Sequence, residues 1–196
     1  MDQALLAGLA AFAFVSSVTP GPNNMMLMAS GANFGFRRTA PHMLGVSVGF
    51  AVMAALVGLG LAGLFARFPA LRSGLTAVSV LYLLWLAWRI ARAGRPEARE
   101  GARPMTFLEA AAFQWVNPKA WTMALTAVTV YAPAEGLAGL LAVCLVFSAI
   151  NLPSVASWAA MGVAMRGLLS TERRLRAFNL TMAGLLVLSL APALFA

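Results

Sequence analysis

Cysteine and charge are both scarce in this sequence. A single cysteine, Cys144, in 196 residues excludes an internal disulfide, a CxxC redox pair and a cysteine zinc site. Charged residues make up 10% of the chain, against about 25% in a typical soluble domain. There is no HExxH and no pair of carboxylates inside an apolar run, so hydrolysis has no evident machinery. Met1-Asp2-Gln3 lacks a basic leader region, and apolar stretches recur down the whole chain, so the first of them is not expected to be a cleaved signal peptide. Fourteen Lys and Arg against six Asp and Glu give a formal charge of +8. In a soluble protein that balance would point to nucleic acid, but the polar surface needed is missing.

What is present is apolar: 61% of the residues are hydrophobic, against roughly 45–50% in soluble proteins. A bilayer core needs about 20 mostly apolar residues per helix. Six such windows occur, at 4–32, 43–64, 73–88, 107–131, 136–162 and 177–195. Links between them are short except for 89–104, so residues 1–196 form one membrane domain, with repeats at about 1–92 and 104–196 joined by a cytoplasmic loop. Basic residues resist translocation and set orientation. Arg37 and Arg38 follow the first window; Arg89, Arg92, Arg95, Arg99 and Arg103 follow the third; Arg166, Arg173, Arg174 and Arg176 follow the fifth. The alternate loops carry only Arg67 and Arg72, which puts the eleven arginines in the cytoplasm and both termini outside. A five-span version, with 4–19 re-entrant, would move the N-terminus inside and satisfies the same count. The arginines are read as topology and contact with anionic lipid headgroups, without nucleic acid.

Two windows are interrupted. Thr19-Pro20-Gly21-Pro22-Asn23-Asn24 breaks the first, and Asn117-Pro118-Lys119 breaks the fourth. Pro lacks an N–H and clashes with the preceding turn, Gly is permissive, and Asn satisfies stray backbone groups or caps a new helix. Irregular backbone at membrane depth survives only where protein buries it or a wet cavity solvates it. Pro22 and Pro118 lie 96 residues apart, each in the first span of a three-span half. Halves with an odd number of spans insert in opposite directions, which is the arrangement of inverted-repeat transporters. The expected fold is therefore an all-α polytopic membrane protein, six transmembrane helices forming two inverted three-helix repeats with discontinuous first and fourth helices. An isolated break would be a plain proline kink, and Pro153 and Pro192 are read that way.

Lys119 lies about twelve residues into the fourth window, where a charge costs on the order of 3 kcal/mol. No Asp or Glu sits mid-span, so an anionic group from outside the protein is its natural partner. A half-helix starting at Pro118 would add free N–H groups and a positive dipole end. The candidate binding residues are Pro20, Gly21, Pro22, Asn23, Asn24, Gln114, Asn117, Pro118, Lys119 and Asn151, with a substrate carboxylate near Lys119 and Asn117. No catalytic residue, metal ligand or cofactor is expected. The plain alternative for Lys119 is an ammonium that snorkels to an interface or a neutral, buried amine. His42 is read as an ordinary interfacial histidine more readily than as a proton carrier. Asn151, Ser154 and Ser157 form a stripe that would line a cavity or join helices. Gly45 and Gly49 read as close helix packing, and Met25, Met26, Met28, Trp115 and Trp121 as packing before pocket wall.

These residues resemble the lysine-exporter (LysE/RhtB) family of bacterial amino-acid transporters. The resemblance rests on Thr19 to Asn24, on the glycine-rich stretch from Gly31 to Gly49 with Arg37, Arg38 and Gly45, on Asn117 to Ala120, and on Pro153 with Trp158. It implies multi-pass insertion in the bacterial inner membrane and export of amino acids or related metabolites driven by an ion or proton gradient, as an antiporter. A homo-oligomer is also in view. With no carboxylate evident at membrane depth, a small neutral amino acid such as threonine, homoserine or a branched-chain type is favoured over a basic one, with Glu109 the residue that would overturn this if the site lay nearer the cytoplasm. A membrane scaffold, for which the breaks would be dispensable, and a passive channel are the rival functions.

Overall fold

The computed structural model describes residues 1–61, 63, 67–92, 103–132 and 136–189, and among these the chain is all-helical. Local sequence sets where each helix starts. The Asp2 carboxylate accepts the Leu5 N–H at 2.7 Å and opens α1 (Gln3–Val18). Helix α2 (Pro22–Phe34) has Pro at its first position, where a missing N–H costs nothing. It stops at Gly35, whose φ of 87° lies in the left-handed region that glycine enters freely. That single residue is the whole connection to α3 (Phe36–Leu56), which continues into a π-helical segment, Val57–Leu61. Helix α4 (Pro69–Ala91) follows. Thr106 and Glu109 then form a reciprocal capping box on α5 (Phe107–Phe113). A 3-10 turn, Gln114–Val116, leads to α6 (Pro118–Tyr131), capped by Asn117. Helix α7 (Gly136–Ala164) runs 29 residues straight through Pro153 without a break. A 3-10 turn at Met165–Gly167 precedes α8 (Glu172–Leu188), capped by Thr171.

The elements correct several expected boundaries. Because Gly35 turns the chain in one residue, Arg37 and Arg38 form the first turn of α3 instead of a loop, and the second helix begins seven residues before its apolar window. Arg173, Arg174 and Arg176 likewise belong to the opening turns of α8, and Arg72 falls inside α4. Arg95, Arg99, Glu135, Pro192 and the window ends at Leu64 and Phe195 lie outside the described residues.

Three helical stretches are long and apolar enough to cross a bilayer: Phe36–Leu61, Ser73–Ala91 and Gly136–Gly167. The pair α1 and α2, bent by 53° at the Thr19–Gly21 break, meets the measure only when taken together, as a broken span or a re-entrant loop. The other two expected spans do not meet the same measure. One is divided into helices of 7 and 14 residues, and the described part of the other is 17 residues that open on Glu172, Arg173 and Arg174. Large apolar side chains point outward on every side, among them Leu81, Leu108 and Leu145 at about 70% exposure, a surface suited to lipid and not to water.

Helix α7 is the centre of the packing, touching α1, α2 and α3, while α4 pairs with α8. Close approach depends on glycine. A methyl added at Gly31 would run into the Ala159 carbonyl, and one at Gly162 into the backbone of Met28 and Ala32, so α2 and α7 meet backbone to backbone. Gly45 and Gly49 do the same for α3 against Phe107, Ala110 and Ala111 of α5, which is the packing role expected for that pair. Phe50, Phe147, Leu9 and Met53 then fill the core between α1, α3, α6 and α7.

Candidate functional site

Both breaks converge. The first span ends its α1 half at Thr19, leaving the last carbonyls of that helix without intrahelical partners. Each finds a donor. The Thr19 N–H and hydroxyl serve Val15 and Ser16, the Asn24 amide donates to the carbonyls of Ser17 and Thr19 at 2.8 Å each, and the Trp158 indole reaches the Val18 carbonyl at 3.2 Å. Lys119 completes the set from the other broken span. Its Nζ donates to the Thr19 carbonyl at 2.8 Å, the Thr19 hydroxyl at 2.9 Å and the Pro20 carbonyl at 3.3 Å. A cation at the C-terminal end of a helix also answers the negative end of its dipole.

This revises one expectation. Lys119 does not wait for an external partner to be hydrogen-bonded; the end of α1 supplies acceptors, and the ammonium neither snorkels outward nor sits alone. Those acceptors are neutral, so the positive charge itself stays uncompensated. Gly21 makes the crossing possible: a Cβ there would lie 2.7 Å from Lys119 Cδ and 3.1 Å from Nζ.

The second tie between the breaks is an amide pair. Asn23 Nδ2 donates to Gln114 Oε1 at 2.9 Å, and Gln114 Nε2 donates back to Asn23 Oδ1 at 3.2 Å and to the Ala110 carbonyl at 2.8 Å. Asn117 Oδ1 accepts the Lys119 N–H at 3.2 Å as the cap of α6. Helices α2 and α6 thus both begin, proline first, at one place.

Between them lies a small, partly open cavity. Gly21, Asn23, Asn24, Gln114, Asn117, Lys119 and Asn151 all line it. Pro20, Pro22 and Pro118, expected in the same set, shape the breaks without lining the cavity, apart from the bond that the Pro20 carbonyl takes from Lys119. Ser16 and Ser17 were not singled out from sequence, and Thr19 only as the start of the break; the first two line the cavity and the third anchors Lys119. Their signal was position, in the last turn of a helix that stops inside an apolar run. The apolar wall is Phe50, Ala120, Met123 and Val155. Met25 and Met26 pack in separate core clusters, and Trp115 and Trp121 stack edge to face outside the cavity, so the packing reading of these residues is the one observed. Asn151 lines the cavity, whereas Ser154 and Ser157 bond to carbonyls of their own helix.

Two further residues depart from expectation. His42 is buried within the protein: because α3 starts early it lies nearly two turns in, 1% exposed, with neither ring nitrogen partnered among the described residues. Arg166 does more than mark topology. Its Nε donates to the Ala32 carbonyl at 2.9 Å and Nη2 to the Asn33 carbonyl at 3.2 Å, so a cation closes the end of α2 as Lys119 closes the end of α1. Glu109 lies apart from the cavity, held by two bonds of 2.6 Å from Arg103, whose guanidinium it pushes above its ordinary pKa. Among the described residues, therefore, the cavity has a cation, amides and hydroxyls but no carboxylate.

Comparison with known proteins covers this whole assembly. The cysteine/O-acetylserine efflux protein of Escherichia coli (strain K12) is 28% identical over 189 residues, 95% of this chain and 96% of that protein. The efflux protein of the same description from Shigella sonnei (strain Ss046) matches to the same extent. The one from Escherichia coli O139:H28 is 30% identical over 131 residues, 67% of each chain. No solved structure matches. A family model described as LysE type translocator matches residues 14–196, a span that takes in both helix breaks and every residue lining the cavity, and the chain belongs to that family.

Proposed function

We propose that this membrane protein is a secondary transporter that exports a small neutral amino acid across the bacterial inner membrane, and that the substrate carboxylate is bound where the two broken helices meet. The observation that carries this is Lys119, a cation drawn across from α6 to the end of α1 in a cavity that has no counter-charge among the described residues. The first free N–H groups of α2 and α6 point to the same place, with Asn117, Asn23 and Asn24 beside them. A carboxylate arriving there competes with the Thr19 and Pro20 carbonyls for the ammonium, and a charged acceptor binds it more strongly than a neutral one. Occupancy then loosens the end of α1, which links binding to helix position. A cationic side chain in the substrate would meet no acid here, which favours neutral amino acids; the relatives' cysteine and O-acetylserine fall within that class.

The same reading keeps six spans as two inverted three-helix repeats, both termini outside, and the arginines at the ends of α4 and α7 and the starts of α3 and α8 in the cytoplasm among anionic lipids. Its support is that Pro22 and Pro118 each open the second half of a broken helix. Export is coupled to an ion gradient, with a proton as the coupling ion and antiport as the mode, and the transporter works as a homo-oligomer. Counterflow in proteoliposomes with labelled cysteine, threonine, homoserine and lysine, with and without a pH gradient, tests the reading. Saturable exchange of the neutral compounds, abolished by Lys119→Met in protein that still inserts, is the expected result. Normal exchange by that variant, or none by the wild type with any compound, defeats it.

A further inference from the structure

Asn151 lines the cavity with an amide that is only half hydrogen-bonded. It lies on α7, 5% exposed; its Nδ2 donates to the Ser17 hydroxyl at 3.2 Å, and its buried Oδ1 has no partner among the described residues. A buried carbonyl oxygen left unpaired is costly and uncommon in native proteins. On a side chain that lines a binding cavity, such an atom is an acceptor still to be given to whatever enters.

The cavity holds partners of both kinds. The Lys119 ammonium is a donor, and the Ser16 oxygen, having committed its proton to the Phe12 carbonyl at 2.6 Å, is an acceptor like Asn151 Oδ1. A charged donor and neutral acceptors in one cavity match a molecule with a carboxylate and an ammonium beside it.

Resting on the reading of the cavity as a carboxylate site, we propose that Asn151 Oδ1 accepts the α-ammonium of the substrate, making the site selective for the zwitterion over simple carboxylates. A neutral amide suits this role, since it meets the ammonium without adding a negative charge that would pair with Lys119 when the cavity is empty.

The test uses matched compounds that differ only in the amine, in counterflow by the full-length chain: L-cysteine with 3-mercaptopropionate, and L-threonine with 3-hydroxybutyrate. In the wild type the amine-bearing member of each exchanging pair should compete about tenfold or more better, the value of a hydrogen bond to a charged group. Asn151→Leu should weaken the amino acid and collapse that ratio to within about threefold, while Asn151→Asp, which keeps the acceptor, should preserve or enlarge it. An undiminished ratio in the Leu variant overturns the proposal. If the Leu variant does not insert, the Asp variant decides: a lost ratio there shows that the donor side of the amide mattered and refutes the assignment. If Lys119→Met exchanges normally while Asn151→Leu collapses the ratio, the carboxylate assignment falls and the ammonium assignment stands. No exchange by the wild type with either pair removes both.

Discussion

Gly21→Ala isolates the contact between the breaks. Gly21 sits at the cap of α2 with φ at −177°, extended backbone open to any residue, so alanine brings no backbone strain. The added methyl would lie 2.7 Å from Lys119 Cδ and 3.1 Å from Nζ. Carbon atoms rest at about 3.5–4.0 Å, so the lysine must retreat by about 1 Å. Its bonds to the Thr19 carbonyl and hydroxyl, at 2.8 and 2.9 Å, would stretch past the hydrogen-bonding range. Bonds to a charged group are worth about 1.5–3 kcal/mol each, but Lys119 is half-exposed and gains water in exchange, so the net loss is about 2 kcal/mol. Removing the lysine removes the clash. In a Lys119→Ala background the same substitution should cost only roughly 0.5 kcal/mol, the difference between Gly and Ala at a helix cap. The double-mutant cycle, read by SDS titration in mixed micelles, should therefore show a coupling of about 2 kcal/mol, since the cap cost is common to both backgrounds. Equal costs with and without the lysine would refute this account of Gly21 and of the lysine bridge.

Asn24→Leu deprives the Ser17 and Thr19 carbonyls of their shared donor and should cost about 2–4 kcal/mol by the same titration, since Asn24 is buried; a loss below half of that would mean other donors take over. Gly162→Ala forces a methyl into the α2 backbone and should lower stability by about 1–3 kcal/mol or more, whereas Gly184→Ala, with nothing within 4 Å, should raise it by about 0.5–1 kcal/mol. Matching signs for the two glycines would contradict the packing described. Arg166→Gln should weaken the end of α2 by roughly 1–3 kcal/mol, seen as faster proteolysis near Gly35. Arg103→Gln, by contrast, breaks a pair exposed at 54% and 43% and should leave stability unchanged in the same titration, with counterflow intact.

The breaks were legible because prolines, glycine and asparagines inside an apolar run admit few other readings. The lining amides Asn23, Asn24, Gln114, Asn117 and Asn151 followed from the cost of placing polar groups there. What held them was not legible. Lys119 is anchored by carbonyls of residues 19 and 20, and every residue has a carbonyl, so no side chain advertises the acceptor. The Asn23–Gln114 pair, 91 residues apart, needed the tertiary arrangement. The arginines misled for a local reason: the windows were drawn on apolarity, while Gly35 lets a helix start on Phe36-Arg37-Arg38 directly. The same shift sets His42 inside α3.

Helices that interlock through side chains can slip by changing rotamers, because the teeth bend. At Gly31 and Gly162 there are no teeth: main chain rests on main chain, and the two rods must lift apart before either can slide. A carrier that exposes its cargo first to one side and then to the other has to move some of its parts. The pair α2 and α7 is thus the part of this fold least able to shift, while the end of α1 is held across to α6 by a lysine side chain.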